Sequence, residues 1–501
     1  MTDEIRTIPP KLTKTEWNAL LDHALIVPAS YIIYKVDTEY KAKNGLTGKI
    51  DYSGTDASTV IQAAINGGKG KIFVKKGNYL LSAMLTIPSN SILEGEVGTV
   101  FTLVDDAGFA NPIRVINAEN VVLNRFKLDG NKVNQTVYDK DGILISNSSD
   151  VLVNEVWSTK NFGEGIEIIN SSRITVTNNF LLNNGGTSPN FGDGIGIDSS
   201  SYSIISGNMI INNTCEAVDI ANESHYNTVS NNIMIGNRVG VGIRVAGSSF
   251  NVVQGNIIKD STENGVSIYD TATNNILLGN QIVGNGIFGV KVDSNNNQIE
   301  NNIVSNNTET GIQISGTSTY NIIEGNTIFQ NGRHGVALET NTVLNLLSNN
   351  VIYSNSQEIN ITYNNIRLVG SYNNIIHNIV RKGTLTNKPA YGILVAGSFQ
   401  TVEHNDFRDG GETRNLTRSG TNLTMHFNHG YATENSGTAT ISASTTVVFA
   451  HGLAGTPTHV VVGFKTTGYE SWIWSADATN ITITVAVSGT YDLTWDAEYK
   501  P

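Results

Sequence analysis

Four acidic residues each stand directly before a small residue that opens a short apolar triplet: Asp141, Glu164, Asp193 and Glu216. The stretches that follow are Gly142-Ile-Leu-Ile, Gly165-Ile-Glu-Ile, Gly194-Ile-Gly-Ile and Ala217-Val-Asp-Ile. Inside them Glu167 and Asp219 separate the apolar residues, and Asp198 stands just beyond its triplet. Carboxylates held close together repel, which raises at least one pKa and supplies a neutral acid beside an ionised base. Glycosidic cleavage needs such a pair, about 5–5.5 Å apart for retention and about 6.5–9.5 Å apart for inversion. Acid and base are therefore expected among Asp193, Glu216 and Asp219, with Glu164 as a fourth candidate and inversion as the expected course. Substrate-binding roles fall to Asp141, Glu167 and Asp198, and to His225, Arg244, Tyr269 and Lys291 further along.

Other readings of the same residues stay open. An Asp or Glu before Gly is ordinary turn chemistry, its carboxylate accepting from nearby backbone N–H groups. The same oxygens could hold Ca²⁺, which would also relieve their repulsion; the acid–base route itself requires no cofactor. Arg244, Lys291 and Lys259 could neutralise a uronate, with Tyr269 as acid or base, and so support β-elimination or epimerisation. On a solvated outer face they would do no chemistry. His334 and Arg333 lie far along the chain from the acids and read as surface residues.

The elements that must position these residues are short strands in a repeat. The small-apolar-x-apolar pattern continues through Gly242, Gly265, Gly289, Gly311, Gly335 and Gly392. In the coils after Glu216 the position before the glycine becomes Val241, Asn264 and Phe288. A second mark runs in step with it. Asn208, Asn232, Asn256, Asn280, Asn302, Asn326, Asn350 and Asn378 recur about 24 residues apart, a solenoid period. Each coil then holds two or three strands whose alternate residues point in and out, and each strand pairs with its counterpart one coil away. Stacked Asn amides can bond from coil to coil, as in cross-β ladders. Equivalent residues of adjacent coils lie about 4.8 Å apart, so the acids form a column. The insertion Gly185-Gly-Thr-Ser-Pro-Asn-Phe-Gly lengthens the coil just before Asp193, where it would form a wall. The fold expected is all-β: a right-handed parallel β-helix with a helical N-terminal cap and a C-terminal antiparallel β-sandwich.

Three segments follow. Residues 1–45 carry a short helix, Thr15–Leu25. Residues 46–425 are the β-helix, beginning with an amphipathic capping helix over about 56–66 that closes the open first coil. Residues 426–501 form the sandwich, with strands around Thr438, Thr446, His459, Ser471, Asn480 and Thr490. Trp472, Trp474 and Trp495 serve there as core or interface, or stack on sugar rings.

Composition removes several classes. The net charge of -12 leaves no basic stripe for nucleic acid. No run of about 18 apolar residues offers a membrane span. Cys215 is the only cysteine, so neither an intrachain disulfide nor a Cys-rich zinc site can form. The acidic N-terminus lacks the basic and apolar regions of a signal peptide. That leaves an intracellular place, export by another route, or carriage on a particle, and a polysaccharide partner favours an extracellular or virion-associated one.

The helix Val60-Ile-Gln-Ala-Ala-Ile-Asn, then Gly77-Asn-Tyr-Leu-Leu, Ile92-Leu-Glu-Gly and Val121-Val-Leu-Asn-Arg-Phe-Lys-Leu-Asp-Gly-Asn, resembles the opening of the pectate-lyase-like β-helix superfamily. Polysaccharide hydrolases, lyases, epimerases and phage tailspike depolymerases share that fold, and the resemblance spans about residues 45–420. It implies a polysaccharide partner. The Asp-Pro-His tract of alginate epimerases is missing. So are the Asn-Thr-Asp, Gly-His-Gly and Arg-Ile-Lys set of polygalacturonases and the Arg-x-Pro-x-x-Arg stretch of pectate lyases, so no catalytic set carries over. The C-terminal segment, with Pro457-Thr-His-Val-Val-Val and Tyr491-Asp-Leu-Thr-Trp, is similar to small terminal domains of phage tail fibres. That resemblance implies a homotrimer. A uronan lyase or epimerase, and a non-enzymatic fibre or carbohydrate-binding rod, stand as rivals to the hydrolase.

Overall fold

The computed structural model describes residues 29–68, 70–136, 140–186, 192–243, 247–465 and 471–500. The expected helix Thr15–Leu25 lies outside them. The chain divides into two compact units, Met1–Gln298 and Ile299–Pro501, and both are built from the coils of a right-handed parallel β-helix.

In the first unit, strands Ala29–Val36, Glu39–Asn44 and Ile50–Gly54 form an antiparallel set within residues 1–45 and just beyond, where the sequence shows little pattern. Helix Ala57–Gly67 follows, matching the expected cap. Asp56 starts it by accepting from the Ser58 N–H at 3.0 Å. Its apolar stripe Val60, Ile61, Ala64 and Ile65 is buried.

Each coil then crosses three faces in turn. One is represented by Ser149–Asn154, Trp157–Thr159 and Ile166–Ile169. On each face the strand pairs in parallel with those of the neighbouring coils. Inward residues such as Ile166, Ile168, Ile195, Val218 and Ile220 are fully buried and fill the bore.

The Asn ladder is real and is multiplied. Asn179, Asn208, Asn232, Asn256 and Asn280 link side chain to side chain at 2.9–3.0 Å. A second ladder runs through Asn161, Asn184, Asn213 and Asn237 at 2.8–2.9 Å. Before each member of the first ladder stands Asn178, Gly207, Asn231, Gly255 or Gly279, with φ between 56° and 68°. That left-handed turn suits only Gly and Asn well, which explains the recurring Asn-Asn and Gly-Asn pairs.

Asn232→Ala should lower the unfolding free energy by about 2–4 kcal/mol. The change strips the acceptor from Asn208, whose backbone N–H and amide both lie 2.9 Å from Asn232 Oδ1. It also deprives the Ile205 carbonyl of a donor. Denaturant titration of the full chain checks this, and a loss below about 1 kcal/mol would make the ladder decorative.

The second unit repeats the three-face coil from Ile303–Ser305 to Thr424–His426, with its own ladder through Asn302, Asn326, Asn350, Asn378 and Asn405. Its last element is a four-stranded antiparallel sheet. The strands expected around Thr438 and Thr446 are one, Glu434–Ala450, bent by register shifts between Ile441 and Thr446. Those around Asn480 and Thr490 merge likewise into Asn480–Glu498. Ile441, Ile481, Ile483, Leu493 and Trp495 form a core of their own. Trp495 is buried there, and Trp474 is exposed. No helix among the described residues is long and apolar enough to cross a membrane.

Candidate functional site

The acids gather on the third face of the first unit, at the corner where the chain arrives from the second. Connections at this corner include 130–142 and 183–194, longer than the 160–165 link between them. Lysines anchor them: Lys132 Nζ donates to the carbonyls of Asn183 at 2.6 Å and Gly185 at 3.0 Å, and Lys140 Nζ to that of Ala107. The stems of the expected insertion therefore stand beside the acid column; its tip, 187–191, is outside the described residues.

Strand pairing puts Asp141, Glu164, Asp193 and Glu216 at one position of successive coils. The N–H groups of Gly142, Gly165 and Gly194 donate in turn to the carbonyls of Glu164, Asp193 and Glu216. The turn chemistry weighed from sequence is present at two steps. Asp141 Oδ1 accepts from the Glu164 N–H at 2.9 Å, and Asp193 Oδ1 from that of Glu216 at 2.7 Å.

The residue opposite Glu216 in the next coil is Val239, two residues earlier than the Val241 read from sequence. Val239-Gly-Val-Gly-Ile offers two glycines in equivalent settings, and strand pairing selects Gly240. The outward positions of the triplets consequently run Leu144, Glu167, Gly196, Asp219, Gly242, Ser267 and Lys291. Lys291 shares this column with Glu167 and Asp219. Arg244 lies outside the described residues.

Two glycines in the column make room for carboxylates. A Cβ on Gly196 would lie 2.6 Å from Glu164 Oε2, and one on Gly242 would lie 3.1 Å from Asp219 Oδ1. Glu164 and Asp219 thus each lean one strand forward over bare backbone. Glu164 Oε2 is enclosed, with no hydrogen-bond partner among the described residues, while the residue keeps part of its surface exposed. Burial, then the charges of Asp141, Asp193, Glu167 and Asp219, hold its carboxyl well above the usual carboxylate range.

Asp193 and Glu216 are buried, 5% and 1% exposed, as is Asp219 at 7%. Burial, and the neighbouring Asp219 and Glu216, push Asp193 up as well. Glu216 is met by Arg238, whose Nη2 lies 2.9 and 3.1 Å from its two oxygens and 3.0 Å from Cys215 Sγ. Arg238 is a member of the cluster that sequence reading missed, and its only signal there is a place one coil beyond Glu216.

The remaining candidates lie around this group. Asp198, two residues past Gly196, accepts from Asn222 at 2.6 Å and Ser199 at 2.8 Å. Tyr269 ends its strand as Asp198 does. His225 belongs to the turn at the far end of the strand, where its Nδ1 accepts from the Ser249 N–H at 3.1 Å. Beside it Tyr202, Tyr226 and Phe250 stack at 5.2 Å spacing. Lys259 sits on the second face and pairs with Asp260, away from the acids.

Two groups among the described residues bring ligand-type atoms within 4.8 Å of one another: Asp193, Cys215 and Glu216, and Asp141, Glu164 and Glu167. The first already holds the guanidinium of Arg238, which opposes a second cation. The second is made of carboxylate oxygens alone and fits a hard ion such as Ca²⁺ better.

A right-handed parallel β-helix with a carboxylate cluster on one lateral face is the class that fold and site define. Residues 111–282 match the family model for the right handed beta helix region, and 241–374 match that of the periplasmic copper-binding protein NosD. Among solved structures the chain is similar to a mutant tailspike protein of E. coli bacteriophage HK620 in complex with a pentasaccharide. The identity is 12% and the TM-score 0.58, over 97% of this chain and 100% of that one. A second mutant of the same tailspike, also with pentasaccharide, gives 12% identity and a TM-score of 0.54 over 89% and 90%. The A-module of Azotobacter vinelandii mannuronan C-5 epimerase AlgE4 gives 16% and 0.45 over 75% and 95%. These likenesses are of fold. A comparison with curated protein sequences finds no significant match.

Proposed function

We propose that this protein processes a polysaccharide laid across the third face of its first unit, by inverting hydrolysis. The observation that carries the reading is the carboxyl of Glu164. Four carboxylates surround it and no partner among the described residues holds Oε2, so its proton is available for delivery to a glycosidic oxygen over Gly196. Asp219 acts as the base that activates water. The two carboxyls each lean one strand forward from coils two apart. Their separation is on the order of 9–10 Å, at the upper edge of the inverting range of about 6.5–9.5 Å. Glu167, Asp198 and Lys291 line the outer surface and bind sugar. Glu216 is taken up by Arg238, and Asp193, with Asp141, Glu167 and Asp219, keeps Glu164 protonated. The fold shared with a tailspike solved with a bound pentasaccharide supports the substrate class, and with it an extracellular or virion-associated place. A homotrimer fits the same reading, and light scattering tests it.

The test is a panel of neutral and acidic polysaccharides scored for new reducing ends, with and without EDTA. At least one should be cleaved. Asp219→Asn should lower that cleavage by about 10²–10⁴-fold without moving the melting temperature by more than a few degrees. Loss of cleavage with EDTA would assign the Asp141, Glu164 and Glu167 oxygens to Ca²⁺. Ultraviolet absorbance of an unsaturated uronate in place of hydrolysis would select a lyase. Binding with no product from any polysaccharide would leave a carbohydrate-binding rod.

A further inference from the structure

We infer that the second unit carries its own binding site, for a carboxylate-bearing sugar unit, formed by His334, Arg367 and Asn364. The saccharide class rests on the proposed function; the carboxylate rests on the geometry.

On the third face of this unit, strand Val336–Leu338 pairs with Asn364–Leu368 and sets Arg367 opposite Ala337. His334 stands three residues before Ala337, and Asn364 three before Arg367. These are the coil positions that carry Glu164 with Glu167, and Glu216 with Asp219, in the first unit. Here they hold a cation and hydrogen-bond donors.

His334, read from sequence as a surface residue, is largely enclosed. Its Nδ1 accepts from the Asn364 N–H at 3.0 Å, so the neutral ring carries its proton on Nε2. That atom has no hydrogen bond among the described residues. The Tyr363 ring stands edge-on to the imidazole at 5.3 Å and 87° and lies beneath the Arg333 guanidinium at 5.8 Å. Burial, helped by Arg367 and Arg333, holds the imidazole down at about 4. The charges acting on it are both positive.

Arg367 uses Nη1 on Glu339, and its other nitrogens have no hydrogen bond among the described residues. Arg333, by contrast, is occupied by Glu309 and Glu358, each at 2.9 Å. Asn364 is 4% exposed, and its Oδ1 is enclosed without a donor. An acceptor left in that state is costly unless something brings it a donor. A uronate-type unit supplies what the cluster lacks: a carboxylate for Arg367 and the His334 Nε2–H, and a hydroxyl for Asn364.

The surroundings are built to hold a ligand. Two lengthened connections, 354–363 and 382–390, brace each other beside the cluster. Gln357 Nε2 donates to the Asn387 carbonyl at 2.8 Å, Asn387 Nδ2 to that of Gln357 at 2.7 Å, and the Ile361 N–H to that of Lys388 at 2.9 Å. Paired insertions beside donors form a wall rather than a loose loop.

The experiment is isothermal titration of the full chain with hexamers of α-1,4-galacturonate and β-1,4-mannuronate, and with maltohexaose as the neutral control. At least one acidic hexamer should bind, and Arg367→Gln should weaken it by at least about tenfold. Lys259→Gln, which removes a cation on the second face of the first unit, should leave that binding unchanged, and the His334 imidazole signal should titrate at higher pH with the hexamer bound. The milder Arg367→Lys keeps the charge and guards against a folding defect. The inference is overturned if neither acidic hexamer binds, if maltohexaose binds equally well, or if a folded Arg367→Gln chain binds as before. Arg367-dependent binding in a chain that cleaves nothing would sink only the hydrolase reading.

Discussion

Glu164→Gln should abolish polysaccharide cleavage, by about 10²–10⁴-fold in kcat/KM, while making the folded chain more stable at neutral pH. The two effects share one cause. The carboxyl is enclosed among Asp141, Asp193, Glu167 and Asp219, so the native state keeps a proton that the unfolded chain releases near its ordinary value of 4.5. Over that range the folded state binds more protons than the unfolded one. Stability is therefore full below the ordinary value and falls as pH rises through the folded one. An amide has no proton to lose and removes this decline. The gain in melting temperature should accordingly grow between pH 4 and pH 8, and cleavage by the unmodified chain should fall on the alkaline side as Glu164 ionises. Calorimetry across that pH range, beside a reducing-end assay, checks both. A variant that cleaves normally would remove Glu164 from the chemistry, and one that gains nothing with pH would show its carboxyl to be ionised already.

The repeat made much of this site legible. A glycine or alanine before apolar-x-apolar, and an Asn every coil, fix the strand spacing, and that spacing alone puts Asp141, Glu164, Asp193 and Glu216 in one column. What the spacing leaves out is the side-chain direction and the local frame. Glu164 and Asp219 are set apart from their neighbours because Gly196 and Gly242 leave bare backbone for them to lean on, a contact between coils that no linear pattern records. The frame slips at Val239, where two glycines satisfy the motif equally and only hydrogen bonding chooses. His334 hid for a related reason. The connection 354–363 lengthens its coil, so the period loses step just where Asn364 and Arg367 fall beside it. Repeats report what recurs, and these sites are made of the departures.

Arg238→Ala should cost about 3–5 kcal/mol of stability at neutral pH, the largest loss expected from any single change near the acids. Glu216 is 1% exposed, and the guanidinium lies 2.9 and 3.1 Å from its two oxygens. Without it, a buried carboxylate beside Asp193 loses the guanidinium held against both its oxygens, and removing one partner of an enclosed pair leaves much of the penalty of the other. Adding Glu216→Gln to Arg238→Ala should recover most of the loss, since neither a buried charge nor its missing partner remains. Denaturant titrations of the two single variants and the double one close this cycle. Additive losses would mean that Arg238 stabilises the coil by packing its stem, and that the Asp193 and Glu216 carboxyls already share their negative charge without its help.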